Sequence, residues 1–192
     1  MLFPTFLKLG GRKVLVVGGG PVAAGKLRSL LEAGALVKVV APTIVPDITC
    51  APVETAFRVF ERSDLDGVSF VVAAAPAAVN REVAAAAHER GIFVNAVDDI
   101  ESASAYAGAV LRRAGVTIAI STDGEAPALA GLVREALEAL LPEDLEDWMG
   151  CARHARREWL GKGVPMQERR PLLLDALNAL YEQKGAVIGG SR

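Results

Sequence analysis

The sequence predicts an α/β fold in which helices cover both faces of a parallel β-sheet. Short runs of apolar, β-branched residues alternate along the first hundred residues with longer segments of helical periodicity. A glycine-rich turn joins the first apolar run to the first helical segment. Hydrophobic residues make up 52% of the 192 residues, which is enough for a core, and because only 5% are aromatic, alanine, valine and leucine must fill it.

Five strands and two helices are expected in the first half of the chain. Pro21 suits the first position of a helix, because the N–H that proline lacks is not needed there. Prolines at positions 42 and 46 predict a loop after the second strand. The expected strands are 13–17, 37–41, 56–60, 69–73 and 92–95, and the expected helices are 21–33 and 77–89.

The pattern changes after residue 99. Residues 105–111 and 116–121 predict a β-hairpin with Arg112 and Arg113 at its tip. A helix is expected to begin at Pro127, and two helical segments follow Pro142, the last of them over 171–183. One face of the helix from Pro127 is apolar, and burial within the chain or against a second chain would explain it equally. Its residues are Leu129, Leu132, Val133, Ala136, Leu137 and Leu140.

Charge and composition exclude several classes of function. The formal net charge is −2, from 21 basic and 23 acidic residues, so no nucleic-acid partner is expected. No apolar run approaches the ~20 uncharged residues of a membrane span, and the apolar start is short and lacks a basic leader, which predicts a cytoplasmic protein without a membrane partner. The two cysteines and two histidines are isolated from one another, so no metal site is expected. They are Cys50, Cys151, His88 and His154.

The glycine-rich turn has the spacing of a phosphate-binding loop. Gly18, Gly20 and Ala23 fit the pattern G-x-G-x-x-A between a strand and a helix. The first glycine permits the tight turn, the second lets the backbone approach a pyrophosphate, and the small third residue lets helix and strand pack. Pro21 and Val22 open the helix whose dipole would favour the anion. The alternative is a tight turn in an α/β fold that binds nothing.

The second strand lacks the residue that usually contacts the ribose of the cofactor. It ends Val40-Ala41-Pro42-Thr43, without the acid typical of NAD enzymes and without an arginine for the 2′-phosphate of NADP. Pro42, Thr43 and the backbone around them are therefore expected to contact the cofactor instead. These residues leave the choice between NAD and NADP open.

A series of blocks, in order along the chain, resembles the precorrin-2 dehydrogenases of sirohaem synthesis. The resemblance covers residues 1–142 and, more loosely, the remainder. The blocks are Phe3-Pro4, Phe6-Leu7, Val14 to Ala23, Lys26, Leu30 to Ala35, Val39 to Pro42, Val79-Asn80, Phe93 to Asp98, Thr117 to Thr122, Ala126 to Ala130 and Leu132 to Glu138.

This resemblance implies a Rossmann-type parallel sheet with a dimerisation element and a C-terminal helical domain. The implied boundaries are 1–104 for the NAD-binding domain, 105–142 for the central dimerisation element and 143–192 for the helical domain. The implied activity is the NAD-dependent oxidation of the tetrapyrrole precorrin-2 to sirohydrochlorin by a homodimer. Two alternatives remain: a bifunctional enzyme that also inserts ferrous iron, and a catalytically impaired protein that binds nucleotide or tetrapyrrole.

The resemblance also implies roles for particular residues. Asp98 matches the family's catalytic acid/base, and the alternative is a loop aspartate that caps local backbone, a role that Asp99 could fill instead. Ala74 lies in the loop expected to face the nicotinamide, where the family usually has a threonine followed by acids or amides. Asp123 stands where the family usually has glycine.

Several further side chains are expected to bind the carboxylate-rich substrate. Arg112 and Arg113 would supply positive charge, and Asn95 lies in the same block as the catalytic candidate. Ser121 and Thr122 match a Ser/Thr pair of the family, and they would either contact substrate or cap the helix that begins near Ala126.

Overall fold

The computed structural model describes residues 2–189, with the side chains of residues 2–182. The chain divides into two compact units. The first holds the chain up to Gly108 together with Ser121–Ala126, and the second holds Ala109–Ile120 and the chain from Pro127 onward. The boundaries expected at residues 104 and 142 stay a prediction.

Within residues 2–189, the first unit is built on one sheet of five parallel strands in the order β3-β2-β1-β4-β5. This is the strand order of a Rossmann fold, so the predicted α/β class is confirmed. The strands are β1 (Lys13–Val17), β2 (Leu36–Val40), β3 (Glu54–Ala56), β4 (Phe70–Ala73) and β5 (Phe93–Ala96). The helices are α1 (Pro21–Glu32), α2 (Pro46–Thr49) and α3 (Ala77–His88), with a 3₁₀ turn over Arg62–Leu65.

The core lies on both faces of this sheet, because side chains alternate between the two faces along each strand. Val14 and Val16 pack with the buried residues of α1 and α2 on one face. Leu15 and Val17 pack with the buried residues of α3 on the other. The central strands are therefore apolar on both sides, which is why β1 reads as a continuous hydrophobic run.

The sequence prediction is wrong in detail around β3. The strand expected at 56–60 ends at Ala56, because Phe57 and Val59 are 62% and 66% exposed instead of facing a core. Residues Pro46–Thr49, expected to be a loop, form the short helix α2. Their isoleucine, Ile48, is fully buried.

The outer side of β5 is bonded to a segment of the chain that follows it. The N–H groups of Ser104 and Ala105 both donate to the carbonyl of Val94, at 2.9 and 3.0 Å. The N–H of Val94 donates to the Ser104 hydroxyl at 2.9 Å, and Asn95 Nδ2 donates to the Ala105 carbonyl at 3.0 Å. Residues 105–108, expected to be strand, are not part of one.

The second unit begins with a hairpin of β6 (Ala109–Arg113) and β7 (Val116–Ile120). Its two-residue turn is Ala114-Gly115, with φ of 50° and 83°, as a type I′ turn requires. Arg112 and Arg113 are therefore the last two residues of β6. The sequence prediction that they lie at the tip of the hairpin is wrong.

Within residues 2–189, three helices complete the second unit. They are α4 (Pro127–Leu140), α5 (Leu145–Lys162) and α6 (Met166–Gly189). The last helix was predicted to begin at Pro171. It begins five residues earlier, at Met166, and therefore contains that proline. Within the described side chains, Trp148 Nε1 donates to the Tyr181 hydroxyl at 2.7 Å, which joins α5 to α6.

Candidate functional site

The loops after β1, β4 and β5 leave the sheet side by side at its carboxyl edge. Val17 pairs with Ala73, and Ala73 pairs with Ala96, so the three strands end in register. The N–H of Ala74 donates to Val17 O at 2.8 Å, and the N–H of Val97 donates to Ala73 O at 2.9 Å. Strands are about 4.8 Å apart, so only about 10 Å separates the end of β1 from the end of β5.

The turn after β1 requires glycine at two positions for steric reasons. A Cβ on Gly18, whose φ is 124°, would lie 2.1 Å from the carbonyl oxygen of Ala74. A Cβ on Gly19 would lie 2.0 Å from the carbonyl oxygen of Thr43. The sequence places Gly19 in the turn but does not reveal its steric requirement, because the loop that contacts it is distant along the chain.

Gly20 faces open space and precedes a helix that no side chain caps. Nothing lies within 4 Å of the position that a Cβ on Gly20 would take. Gly20 is the N-cap of α1, no side chain bonds there, and no acid stands in the first turn. The N–H groups of this turn are therefore available to an anion, which the helix dipole favours. These features fit a pyrophosphate.

The two residues after Gly20 differ in what they contact. Pro21 and Val22 are exposed at the start of α1, whereas Ala23 is fully buried in the core. Val22 is 51% exposed and is therefore not a core residue. The small side chain at Ala23 allows α1 to pack closely on the sheet.

The loop after β2 packs against the glycine turn. Pro42 and Thr43 are exposed beside it, and the N–H of Val45 donates to Gly19 O at 2.8 Å. Any contact to a ribose at this end of β2 would come from the hydroxyl of Thr43 or from backbone groups.

Asp98 presents an exposed carboxylate at the end of β5. Its φ is 57°, in the left-handed region that aspartate and asparagine tolerate better than most residues. Among the described side chains, none forms a hydrogen bond or ion pair with the Asp98 carboxylate. A strained backbone that holds a free polar group is typical of functional sites.

The neighbouring Asp99 is used locally. Its Oδ2 accepts a hydrogen bond from the Ser102 hydroxyl at 2.8 Å, and its Oδ1 accepts one from the Ser102 N–H at 3.1 Å. These bonds lower the pKa of the Asp99 carboxyl below its ordinary value. The capping role that was the alternative for Asp98 therefore belongs to Asp99.

Asn80 was not among the predicted site residues, yet it joins two loops of this edge. Only 2% of it is exposed. Its Oδ1 accepts from the Ala75 N–H at 2.9 Å, and its Nδ2 donates to Val97 O at 3.2 Å. From the sequence, Asn80 is recognisable as an amide residue on the first turn of the helix that follows the loop at Ala74. The hydrogen-bond partners of its side chain, however, depend on the fold.

Asn95 is buried on β5 with half of its amide satisfied. Nδ2 donates to Ala105 O. Oδ1 is buried and has no hydrogen-bond partner among the described residues. An unsatisfied buried acceptor is costly, so a bound donor would lower the free energy of this site.

The loop at Ser121 and Thr122 forms a tight turn that explains how aspartate can replace the family's usual glycine at position 123. The N–H of Glu125 donates to Thr122 O at 2.9 Å, with φ of 53° at Asp123 and 84° at Gly124. Glycine is usual at such a position, and aspartate tolerates it. The Ser121 hydroxyl accepts from the Asp123 N–H, and the Thr122 hydroxyl accepts from the N–H of Ala126. Both side chains thus have local structural partners.

The two arginines of β6 differ in their surroundings. Arg113 Nη1 donates to the carbonyl of Leu141, just beyond α4, at 3.3 Å. Arg112 is exposed on the strand. Both lie in the second unit, whereas the other candidate site residues lie in the first.

The described residues hold neither a cluster of metal ligands nor a membrane-spanning helix. No group of three or more histidine, cysteine or acidic side chains in that part of the chain could hold a metal ion. No described helix is both long enough and apolar enough to cross a membrane.

The strand order, the open glycine turn and the carboxylate two strands away define a dinucleotide-binding protein of the Rossmann class. Residues 5–109 match the family described as putative NAD(P)-binding, and the chain belongs to that family. Residues 113–140 match the central region of sirohaem biosynthesis proteins. The resemblance inferred from the sequence is therefore confirmed.

Individual relatives agree with this assignment. The chain is 39% identical over 183 residues to a siroheme synthase of Photorhabdus laumondii, covering 93% of this chain and 39% of that protein. It is 40% identical over 172 residues to siroheme synthase 1 of Aeromonas salmonicida, covering 87% of this chain and 37% of that protein. The chain thus spans about two fifths of the length of the curated relatives it matches.

A solved structure covers nearly the whole chain. The structure titled "SirC, precorrin-2 dehydrogenase" matches with a TM-score of 0.70 and 28% sequence identity. The match covers 91% of this chain and 88% of that one, so the similarity in fold extends beyond the nucleotide-binding part.

Proposed function

We propose that this protein oxidises precorrin-2 to sirohydrochlorin with NAD⁺ in the cytoplasm. The observation that carries the proposal is the Asp98 carboxylate, free of partners among the described side chains and two strands from the open glycine turn. The printed names of the similar proteins, siroheme synthase and precorrin-2 dehydrogenase, supply the substrate.

The proposed reaction removes two hydrogens from the tetrapyrrole, one as a hydride and one as a proton. Bound NAD⁺ would supply the hydride acceptor. Its pyrophosphate would lie at Gly20 and the exposed start of α1, at Pro21 and Val22, with Pro42, Thr43 and Ala74 beside it. Gly18 and Ala23 would shape this turn, through the tight backbone and the close packing of α1. The Asp98 carboxylate would accept the proton, as a general base within reach of the substrate.

Binding of the substrate's carboxylates is assigned to Arg112 and Arg113 as an expectation from chemistry. Guanidinium groups bind carboxylates through two parallel hydrogen bonds. Asn95 is proposed to contribute as well, because it lies on the strand that leads to Asp98 and its Oδ1 has no hydrogen-bond partner among the described residues. Ser121 and Thr122 can each still donate a hydroxyl proton while accepting their local bonds.

The test is to mix the pure protein with precorrin-2 and NAD⁺ and to follow the absorbance of NADH and sirohydrochlorin. A parallel reaction with ferrous iron reports sirohaem formation. Sirohydrochlorin with no acceleration of iron insertion supports a dehydrogenase, and sirohaem above the non-enzymatic rate identifies a bifunctional enzyme. Absence of NADH would contradict the proposal and favour a protein that only binds nucleotide or tetrapyrrole.

Two adjacent carboxylates provide a matched pair of variants for Asp98. Asp98→Asn keeps a residue that tolerates the left-handed backbone, so the fold should persist while turnover falls by about 100-fold or more. Asp99→Asn retains an acceptor for the Ser102 N–H and removes no proton acceptor from the reaction, so turnover should stay within about threefold of the parent. Equal losses in the two variants, or normal turnover in Asp98→Asn, would remove Asp98 from the reaction.

We also propose that the protein is a homodimer. The support is the apolar face of α4, on which Leu129, Leu132 and Leu140 are exposed while only Ala130 of the whole helix is buried. An apolar face that one chain leaves in water is typical of an interface between subunits.

A further inference from the structure

Asn80 connects two peptide groups at the carboxyl edge of the sheet, one in the loop after β4 and one in the loop after β5. Its Oδ1 accepts from the N–H of Ala75, and its Nδ2 donates to the carbonyl of Val97. The side chain is almost completely buried, so water does not compete for either bond. One amide therefore fixes two backbone segments that are 22 positions apart along the chain.

The first of these peptide groups forms part of the wall of the glycine turn. The N–H of Ala75 and the carbonyl of Ala74 belong to one planar peptide group, so fixing the N–H also fixes the direction of the carbonyl. That carbonyl is the group that a Cβ on Gly18 would strike at 2.1 Å. Asn80 thus holds the surface on which Gly18 packs.

The second peptide group carries Asp98. The carbonyl of Val97 and the N–H of Asp98 share one planar group, so a bond to that carbonyl sets the orientation from which Asp98 begins. The N–H of Val97 is already bonded to Ala73 O at 2.9 Å. Val97 is thus held on both sides, by β4 and by Asn80.

We infer that Asn80 is a positioning residue that keeps the Asp98 carboxylate in register with the cofactor turn. This inference rests on the proposed function for its effect on turnover. A misplacement of about 1 Å can reduce turnover by about 100-fold, even when the altered residue does not touch the reacting atoms.

Replacement by aspartate separates the two bonds. In Asn80→Asp, one carboxyl oxygen can still accept from the Ala75 N–H, but an ionised carboxylate cannot donate to Val97 O. A protonated carboxyl can donate, so the lost bond returns when the introduced carboxyl is protonated, and burial favours this neutral form. The charged groups nearest along the chain, Arg81, Glu82, Asp98 and Asp99, are present in both proteins, so the ratio of variant to parent turnover cancels their titration.

The expected kinetic result is a loss confined to turnover. At pH 8, Asn80→Asp should lower kcat about 30-fold while the Kd for NAD⁺ stays within about threefold, because the start of α1 is untouched. The ratio of its kcat to that of the parent should rise as the pH falls and the introduced carboxyl becomes protonated. Asn178→Asp is the matched control, because Asn178 is exposed on α6, and it should match the parent throughout.

Amide hydrogen exchange provides a readout that requires neither substrate nor cofactor. The Ala75 amide should exchange slowly in the parent and in Asn80→Asp, and at least about tenfold faster in Asn80→Ala. A normal kcat in Asn80→Asp, a parallel loss of NAD⁺ affinity, or an Ala75 amide unaffected by Asn80→Ala would overturn the inference. If the parent fails to oxidise precorrin-2, the proposed function fails, and the exchange of the Ala75 amide still decides whether Asn80 holds the segment after β4.

Discussion

Three consecutive glycines at the end of β1 meet three different physical requirements. Gly18 needs a positive φ and the absence of a side chain against Ala74 O, and Gly19 needs only the second of these, against Thr43 O. Gly20 needs neither for folding, because the space beside it is empty of protein atoms. A requirement for glycine at position 20 would therefore reflect a bound molecule and not the fold.

Substitution of alanine at two of these glycines should give opposite results. Gly18→Ala should destabilise the fold by about 3 kcal/mol or more, because its Cβ overlaps backbone. Gly20→Ala should change the free energy of unfolding by no more than about 0.5 kcal/mol and should raise the Kd for NAD⁺ at least about tenfold. Thermal unfolding and calorimetric titration measure the two effects. Normal NAD⁺ affinity in Gly20→Ala would show that no pyrophosphate approaches this residue.

At the scale of elements, a buried carboxylate joins β2, the segment after β3 and the 3₁₀ turn. Asp64 receives two bonds from Arg58, at 2.6 and 2.8 Å, and an ion pair from Lys38 at 3.2 Å. Its side chain is 1% exposed. The hydrogen bonds from Arg58 are the largest reason why the pKa of Asp64 falls from 3.8 to about 2.

The stability supplied by Asp64 should depend on pH in a defined direction. Because folding lowers its pKa, the contribution is present above about pH 4 and is lost as the pH falls toward 2. Asp64→Asn should therefore unfold with a free energy lower by about 2 kcal/mol at pH 7, and this difference should shrink to about half at pH 3. Urea titrations of both proteins measure it. A difference that stays constant with pH would show that the loss comes from packing and not from charge.

The sequence allowed the sheet and its glycine turn to be predicted, because each depends on local pattern. β1, α1, β4 and α3 form within a residue of the expected bounds, since their apolar residues face a core. The prediction of β3 was misplaced because Phe57 and Val59 continue the alternating apolar pattern of a strand, although both side chains are exposed to solvent. The positioning role of Asn80 could not be predicted, because its two hydrogen bonds depend on how β4, β5 and α3 come together.

At the scale of the whole molecule, the exposed face of α4 should determine the oligomeric state. We expect a dimer in solution, and Leu132→Glu should dissociate it, because Leu132 is 64% exposed in the single chain and a charge there opposes burial. Leu36→Glu, at an exposed leucine of the first unit, is the matched control and should remain dimeric. Analytical ultracentrifugation distinguishes the species. A parent that sediments as a monomer at micromolar concentration would contradict the proposal.

The bonds from Ser104 and Ala105 to Val94 also limit how the large sheet can associate. They occupy main-chain groups on the outer side of β5, which an incoming strand would need. At the opposite side, β3 offers only three residues. Uncovered strand edges are the usual templates for aggregation and strand exchange, so the nucleotide-binding sheet is protected from both.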